Sequence, residues 1–169
     1  MVAQFLLIAV LPALLATAAG WDLASFTIPN TLNAAVVLVF GVFALTVSLS
    51  PAAIGLHFVA GLIGLAIGFA LFALGYIGGG DAKLYAAAAL WLGPHDLVIY
   101  TLVATILGGF LTLALLGLRQ LPLPAGLARQ DWISRLHSSS SGIPYGVALA
   151  AGVLAILPQT EILRLAAGS

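Results

Sequence analysis

Runs of roughly 20 apolar residues recur along the whole chain, separated by short clusters of glycine, proline and polar residues. Crossing a bilayer core takes about 20 such residues in a helix. Every backbone polar group at that depth must be satisfied within the protein, which leaves helices or closed barrels. The lengths of the runs predict an all-α membrane protein. Hydrophobic residues make up 63% of the chain and charged residues 6%, with a mean hydropathy of +1.22. A water-soluble fold of 169 residues has nowhere to put that much apolar surface. By length the chain reads as a single integral-membrane domain, 1–169.

Several function classes drop out early. The formal net charge is zero, so no basic face points to nucleic acid. The absence of cysteine excludes disulfides, thiolate metal sites and cysteine nucleophiles. His57 lies alone inside an apolar run, and His95 and His137 fall on opposite membrane faces, so no histidine metal site is expected. The stretch Ala16-Thr17-Ala18-Ala19-Gly20 resembles a signal-peptide cleavage region. Against that, Met1 to Gln4 carry no Lys or Arg, and the run Val2 to Ala19 is long for a signal core. A retained first helix is the expectation.

Six membrane helices are predicted, at about 2–20, 33–49, 52–76, 82–93, 96–118 and 143–157, the last with a continuation past Pro158 to Ala167. Their breakers are Ile28-Pro29-Asn30, Ser48-Leu49-Ser50-Pro51, Gly78-Gly79-Gly80 and Gly93-Pro94-His95-Asp96. Segment 119–142 is the one long polar stretch and reads as an extramembrane loop. Segments 20–32, 77–82 and 119–142 share a side, because an even number of spans separates each pair. That side carries Lys83, Arg119, Arg129 and Arg135, whereas the other holds Arg164. Positive charge collects on the cytoplasmic side, which places the loop in the cytoplasm and both termini outward, in the periplasm. Trp21, Tyr76, Trp132 and Tyr145 fall near the same boundary, as interfacial aromatics do.

Two aspartates then stand out. Asp22 and Asp81 sit at the edges of apolar runs on this shared face, and a carboxylate at membrane depth is a functional-site hypothesis by default. The predicted fourth helix is short: 12 residues (82–93) cover about 18 Å, against a core of about 30 Å. Sinking the Gly78-Gly79-Gly80-Asp81 turn into a wet, protein-lined recess makes up the difference. Two carboxylates sharing one proton can activate a water and donate to a carbonyl oxygen. Asp81, at a helix start, suits the ionised member and Asp22 the acid. The blander reading makes each aspartate a helix cap. Lys83 reads either as a positive-inside anchor or as a group near the pair, and Asp96 as a cap on the far face. Gly61, Gly64 and Gly68 form a small-residue stripe for close packing, within the bundle or in a homodimer. The 119–142 loop reads as a tether, or as a surface for lipid head groups or a substrate.

Gly78-Gly79-Gly80-Asp81-Ala82-Lys83-Leu84 resembles the GxGD motif, in its GxGDxK form, of the type IV prepilin peptidases. Trp21-Asp22 through Ile28-Pro29-Asn30 is similar to that family's first aspartate and the turn following it. Ile143-Pro144-Tyr145-Gly146 resembles the PYG-type start of the last helix in short members serving tight-adherence (Flp-type) pili. The resemblance implies an inner-membrane aspartyl endopeptidase, without cofactor, that removes the short basic leader of prepilin-like proteins after a glycine, at the cytoplasmic face. It implies Asp22 and Asp81 as the catalytic pair and Gly78 and Gly80 as motif glycines, with Gly79 and Lys83 in the same turn. Pro29, Asn30, Pro144, Tyr145 and Gly146 are further motif positions. Larger members carry a methyltransferase region and a cysteine-rich segment, which this sequence does not show. Two rival readings remain: a proton-coupled small transporter using both acids as a relay, and a non-catalytic membrane partner in pilus assembly.

Overall fold

A computed structural model describes residues 2–167, and those residues are helical with no strands. The elements in chain order are α1 (Val2–Ser25), α2 (Asn30–Thr46), α3 (Pro51–Ala73), α4 (Gly79–Leu118), α5 (Asp131–His137), α6 (Tyr145–Ile156), a 3-10 turn (Leu157–Gln159) and α7 (Glu161–Ala167). By length and composition, three helical runs can cross a membrane: Ile8–Ser25, Pro51–Ala73 and Gly79–Leu118. The pair formed by α6 with its 3-10 turn and α7, bent by 51°, would be a fourth if it crosses as one. Helix α2 is apolar but shorter, at 17 residues.

The 40-residue α4 is not straight. A continuous helix would set residues 16 positions apart at about 24 Å. Here the Tyr85 hydroxyl lies 2.6 Å from that of Thr101, and the Tyr85 and Tyr100 rings stack at 5.4 Å. The chain therefore folds back on itself. The reversal falls at Gly93, whose φ of 68° suits glycine. Pro94 follows, and a residue before proline avoids the helical region. The two predicted helices, 82–93 and 96–118, are thus two arms, 79–92 and 94–118, joined through one residue.

Pro94 has no N–H, so the Leu90 carbonyl four residues earlier loses its helical donor. His57 of α3 supplies the replacement: its Nδ1 lies 2.8 Å from the Leu90 oxygen and must donate, since a carbonyl only accepts. A Cβ on Gly93 would come within 3.0 Å of that ring. His57 is buried for a backbone reason, in keeping with the reading that makes it no ligand.

Glycines set the α3–α4 contact. A Cβ on Gly64 would lie 2.7 Å from the Ala89 Cβ, and one on Gly68 would lie 2.9 Å from the Ala82 oxygen. The small-residue stripe is used inside the chain, against the first arm of α4. Trp91, wholly buried, packs edge-on against Phe40 and donates its Nε1–H to the Val36 oxygen of α2 at 2.8 Å.

Other boundaries differ from expectation for local reasons. Helix α1 runs on to Ser25 instead of stopping near residue 20, so Asp22 lies in its last turn. It ends at Phe26, whose φ of 55° is left-handed. Pro158 breaks the last helix, so the continuation to Ala167 is a separate, tilted α7. Asp96 caps α7 instead of its own arm, with Oδ2 accepting from the Glu161 N–H at 3.1 Å. The 119–142 segment is more than a tether, because it carries α5, which packs on α1.

Candidate active site

Asp22 and Asp81 meet. Residues 22, 26–28 and 78–81 line one cavity of about 240 Å³ at the end of the bundle that carries the loop. Both side chains are almost fully enclosed, with 3% and 6% of their surface exposed. Bringing two carboxylates together in so enclosed a place is costly unless hydrogen bonds and a shared proton offset it.

Asp81 is the third residue of α4's first turn. Its Oδ2 accepts the N–H of Gly78, the N-cap residue, at 3.0 Å. This is the return half of a capping box; glycine has no side chain to complete it. The capping reading is therefore correct for one oxygen. The other, Oδ1, is buried and has no partner among the described residues. An orphaned carboxylate oxygen facing a cavity beside a second carboxylate is not what a cap alone requires.

Asp22 is held from the far end of the sequence. Its Oδ2 accepts the N–H of Gly146, in the first turn of α6, at 2.7 Å. A Cβ on residue 146 would sit 2.7 Å from Ile28 Cδ1 and 2.9 Å from Asp22 Oδ2, so only glycine lets the amide approach this closely. Pro144 is the N-cap residue of α6, and the Tyr145 ring packs on Gly108 of the second α4 arm.

The glycine turn packs against the other motif. A Cβ on Gly80 would fall 3.0 Å from the Ile28 nitrogen, and the Asn33 Nδ2 approaches the Gly80 oxygen at 3.4 Å. A Cβ on Gly79 would meet only the Phe72 ring, at an ordinary contact distance of 3.5 Å. Pro29 ends the extended link and caps α2, which begins at Asn30. Lys83 donates to Asn30 Oδ1 at 2.7 Å. This bond occupies the motif lysine with α2.

Two arginines that the sequence marks only as positive charges of the loop side have a structural part. Arg119, at the C-terminus of α4, donates through Nε to the Leu136 oxygen at 2.9 Å and through Nη2 to the Gly142 oxygen at 2.8 Å. Arg135 of α5 donates to the Ala24 oxygen at 3.0 Å, two residues beyond Asp22. Together they clasp the ends of α1 and α4 to the chain leading into α6. Their acceptors are carbonyls, which any residue provides, so no side-chain pattern could have signalled them.

Among the described residues no group of three or more His, Cys, Asp or Glu side chains is arranged to hold a metal ion. The sequence model of the Type IV leader peptidase family matches residues 9–113, a span containing both aspartates and the glycine turn. No curated protein and no solved structure matches the chain.

Proposed function

The chain belongs to the Type IV leader peptidase family, and from that premise we propose that it is an aspartyl endopeptidase whose catalytic pair is Asp22 and Asp81. The observation that carries this reading is the shared cavity, which holds both carboxylates and leaves Asp81 Oδ1 without a partner. Two carboxylates this enclosed at one cavity share a proton in this reading, because two neighbouring negative charges repel.

The roles follow from the helix ends. Asp81 lies in the first turn of α4, where the dipole favours negative charge, and Asp22 in the last turn of α1, where it does not. Asp81 acts as the base and Asp22 as the acid. A water between them gives its proton to Asp81 as its oxygen attacks the scissile carbonyl, and Asp22 protonates the developing oxyanion. Collapse of the tetrahedral intermediate returns the hydroxyl proton to Asp22, while Asp81 delivers its proton to the departing amine. Both residues end as they began. The Gly146 N–H keeps Asp22 oriented throughout.

The substrate in this reading is a prepilin-like protein of the Flp type, cut after the glycine that ends its basic leader. The chain lies in the bacterial inner membrane with six crossings, termini outward, and the site toward the cytoplasm. Carboxylates there attract a basic leader. A transporter relay would string its acids through the bilayer, whereas these two meet at one end of the bundle. Co-expression with a candidate prepilin tests the reading. Asp22→Asn and Asp81→Asn, still made and inserted, should each leave the precursor uncut. Normal processing by either variant refutes it.

A further inference from the structure

Helices α2 and α3 are joined by only four residues, Val47 to Ser50, yet they scarcely pack on each other; each packs instead on α4. They touch near the end away from the aspartates, where Phe40 meets His57 and Phe58 at ring distances of 5.2 and 6.4 Å. From that apex they diverge. The result is a wedge of about 620 Å³, walled by Asn30 to Leu38 of α2 and by Phe58 to Leu65 of α3, and floored by the first arm of α4.

Three features distinguish this wedge from ordinary lipid-facing surface. Four small residues, Ala34, Gly61, Ala86 and Ala87, lie among the larger apolar side chains of its lining. Small residues at such a surface let a second helix backbone approach closely, which is how helices associate in membranes. The open end also lies beside the candidate site, because Asn33 of the wedge donates to the Gly80 oxygen of the glycine turn. Polar groups occur only at that end, where Lys83 and Asn30 are hydrogen-bonded to each other.

We propose that this wedge receives the apolar helix of the substrate, the segment that follows the cleaved leader. The inference rests on the peptidase reading above and adds where the retained part of the substrate lies during cleavage. A helix seated there meets the glycine turn with its N-terminal end, so the preceding peptide bond is delivered to the aspartates. The wall from Asn30 to Leu38 is about 12 Å long at 1.5 Å per residue, room for about eight residues of a docked helix. Positioning the reacting bond through remote contacts is a standard use of substrate binding.

Because the chain has no cysteine, single cysteines can be placed without background. Residues 34 and 62 mark the wedge, and residue 113, exposed on the second α4 arm, serves as the control. Each is paired in membranes with a prepilin carrying one cysteine in its first helical turns, the peptidase bearing Asp81→Asn to hold the complex. Disulfides should form at 34 and 62 and not at 113, and should fade beyond about eight substrate residues. Equal cross-linking at 113, or none at 34 and 62, overturns the proposal and leaves the wedge to lipid. Independently, Ala34→Leu and Leu62→Trp narrow the wedge without touching the aspartates. Each should raise KM for full-length prepilin about tenfold while leaving cleavage of a short leader peptide, which lacks the helix, unchanged. Equal cleavage of both substrates by both variants also overturns it. A wild-type chain that cuts neither substrate refutes the peptidase reading itself.

Discussion

Gly80 lies directly against the backbone of Ile28, so close that a Cβ at residue 80 would sit 3.0 Å from the Ile28 nitrogen. The glycine turn and the Ile-Pro-Asn turn, 50 residues apart in sequence, are each other's packing surface. That contact brings the two aspartates to one cavity, since Asp81 follows Gly80 and the link through Ile28 follows Asp22.

The three consecutive glycines therefore tolerate change unequally. Gly80→Ala forces the catalytic turn off Ile28 and should reduce prepilin cleavage by at least about tenfold, the size of an overpacking penalty. Gly79→Ala meets only the Phe72 ring at 3.5 Å and should stay within about twofold of the parent. Processed and unprocessed prepilin, separated on a gel over a time course, give both numbers.

Gly146→Ala should cut activity by roughly 10- to 100-fold, the worth of one charge-assisted hydrogen bond. Its methyl group would press on Ile28 and on the Asp22 carboxylate and push the amide away. If Asp22 is the acid as proposed, the rate under saturating prepilin should fall more than KM rises.

Arg119 holds two carbonyls through two nitrogens of one planar guanidinium, a fixed geometry that an ammonium does not reproduce. Arg119→Lys and Arg119→Ala should both slow cleavage, by about 5- to 30-fold. Limited proteolysis in detergent should then cut within 119–142 sooner than in the parent. Unchanged proteolysis alongside lost activity would deny the clasp its role.

His57 should contribute to stability through the Leu90 carbonyl. His57→Ala leaves that carbonyl buried and unpaired, at a cost of about 1–3 kcal/mol in thermal unfolding in detergent. His57→Gln keeps a side-chain donor and should recover part of the loss. An equal loss in both variants would show that the hydrogen bond is not what His57 contributes.

Much of this was legible in the chain because the decisive residues break local rules. Asp22 and Asp81 are charges in apolar runs, and Gly93-Pro94 interrupts a run that would otherwise be one helix. Each such exception marks a position. What the sequence did not disclose are relations made through the main chain. The Gly146 amide on Asp22, the Leu136, Gly142 and Ala24 carbonyls on the arginines, and Asp96 reaching the start of α7 all involve backbone groups that every residue carries. The end of α1 was misread for a related reason: Trp21 and Ser25 are compatible with either a helix or a loop, and only packing against α6 decides.

The hold on Asp22 has a consequence for how a site like this can be dissected. Substitution scanning deletes side chains, and the donor here is an amide hydrogen that nineteen of the twenty residues would retain. At position 146 an alanine scan would mix the bulk of the added methyl with the displacement of the amide and could not separate the two. Replacing that one amide with an ester, in a chain joined semisynthetically between Gly142 and Tyr145, would remove the hydrogen and leave the shape intact. What inheritance has to preserve at this point is a path of the chain, and the chemistry follows from it.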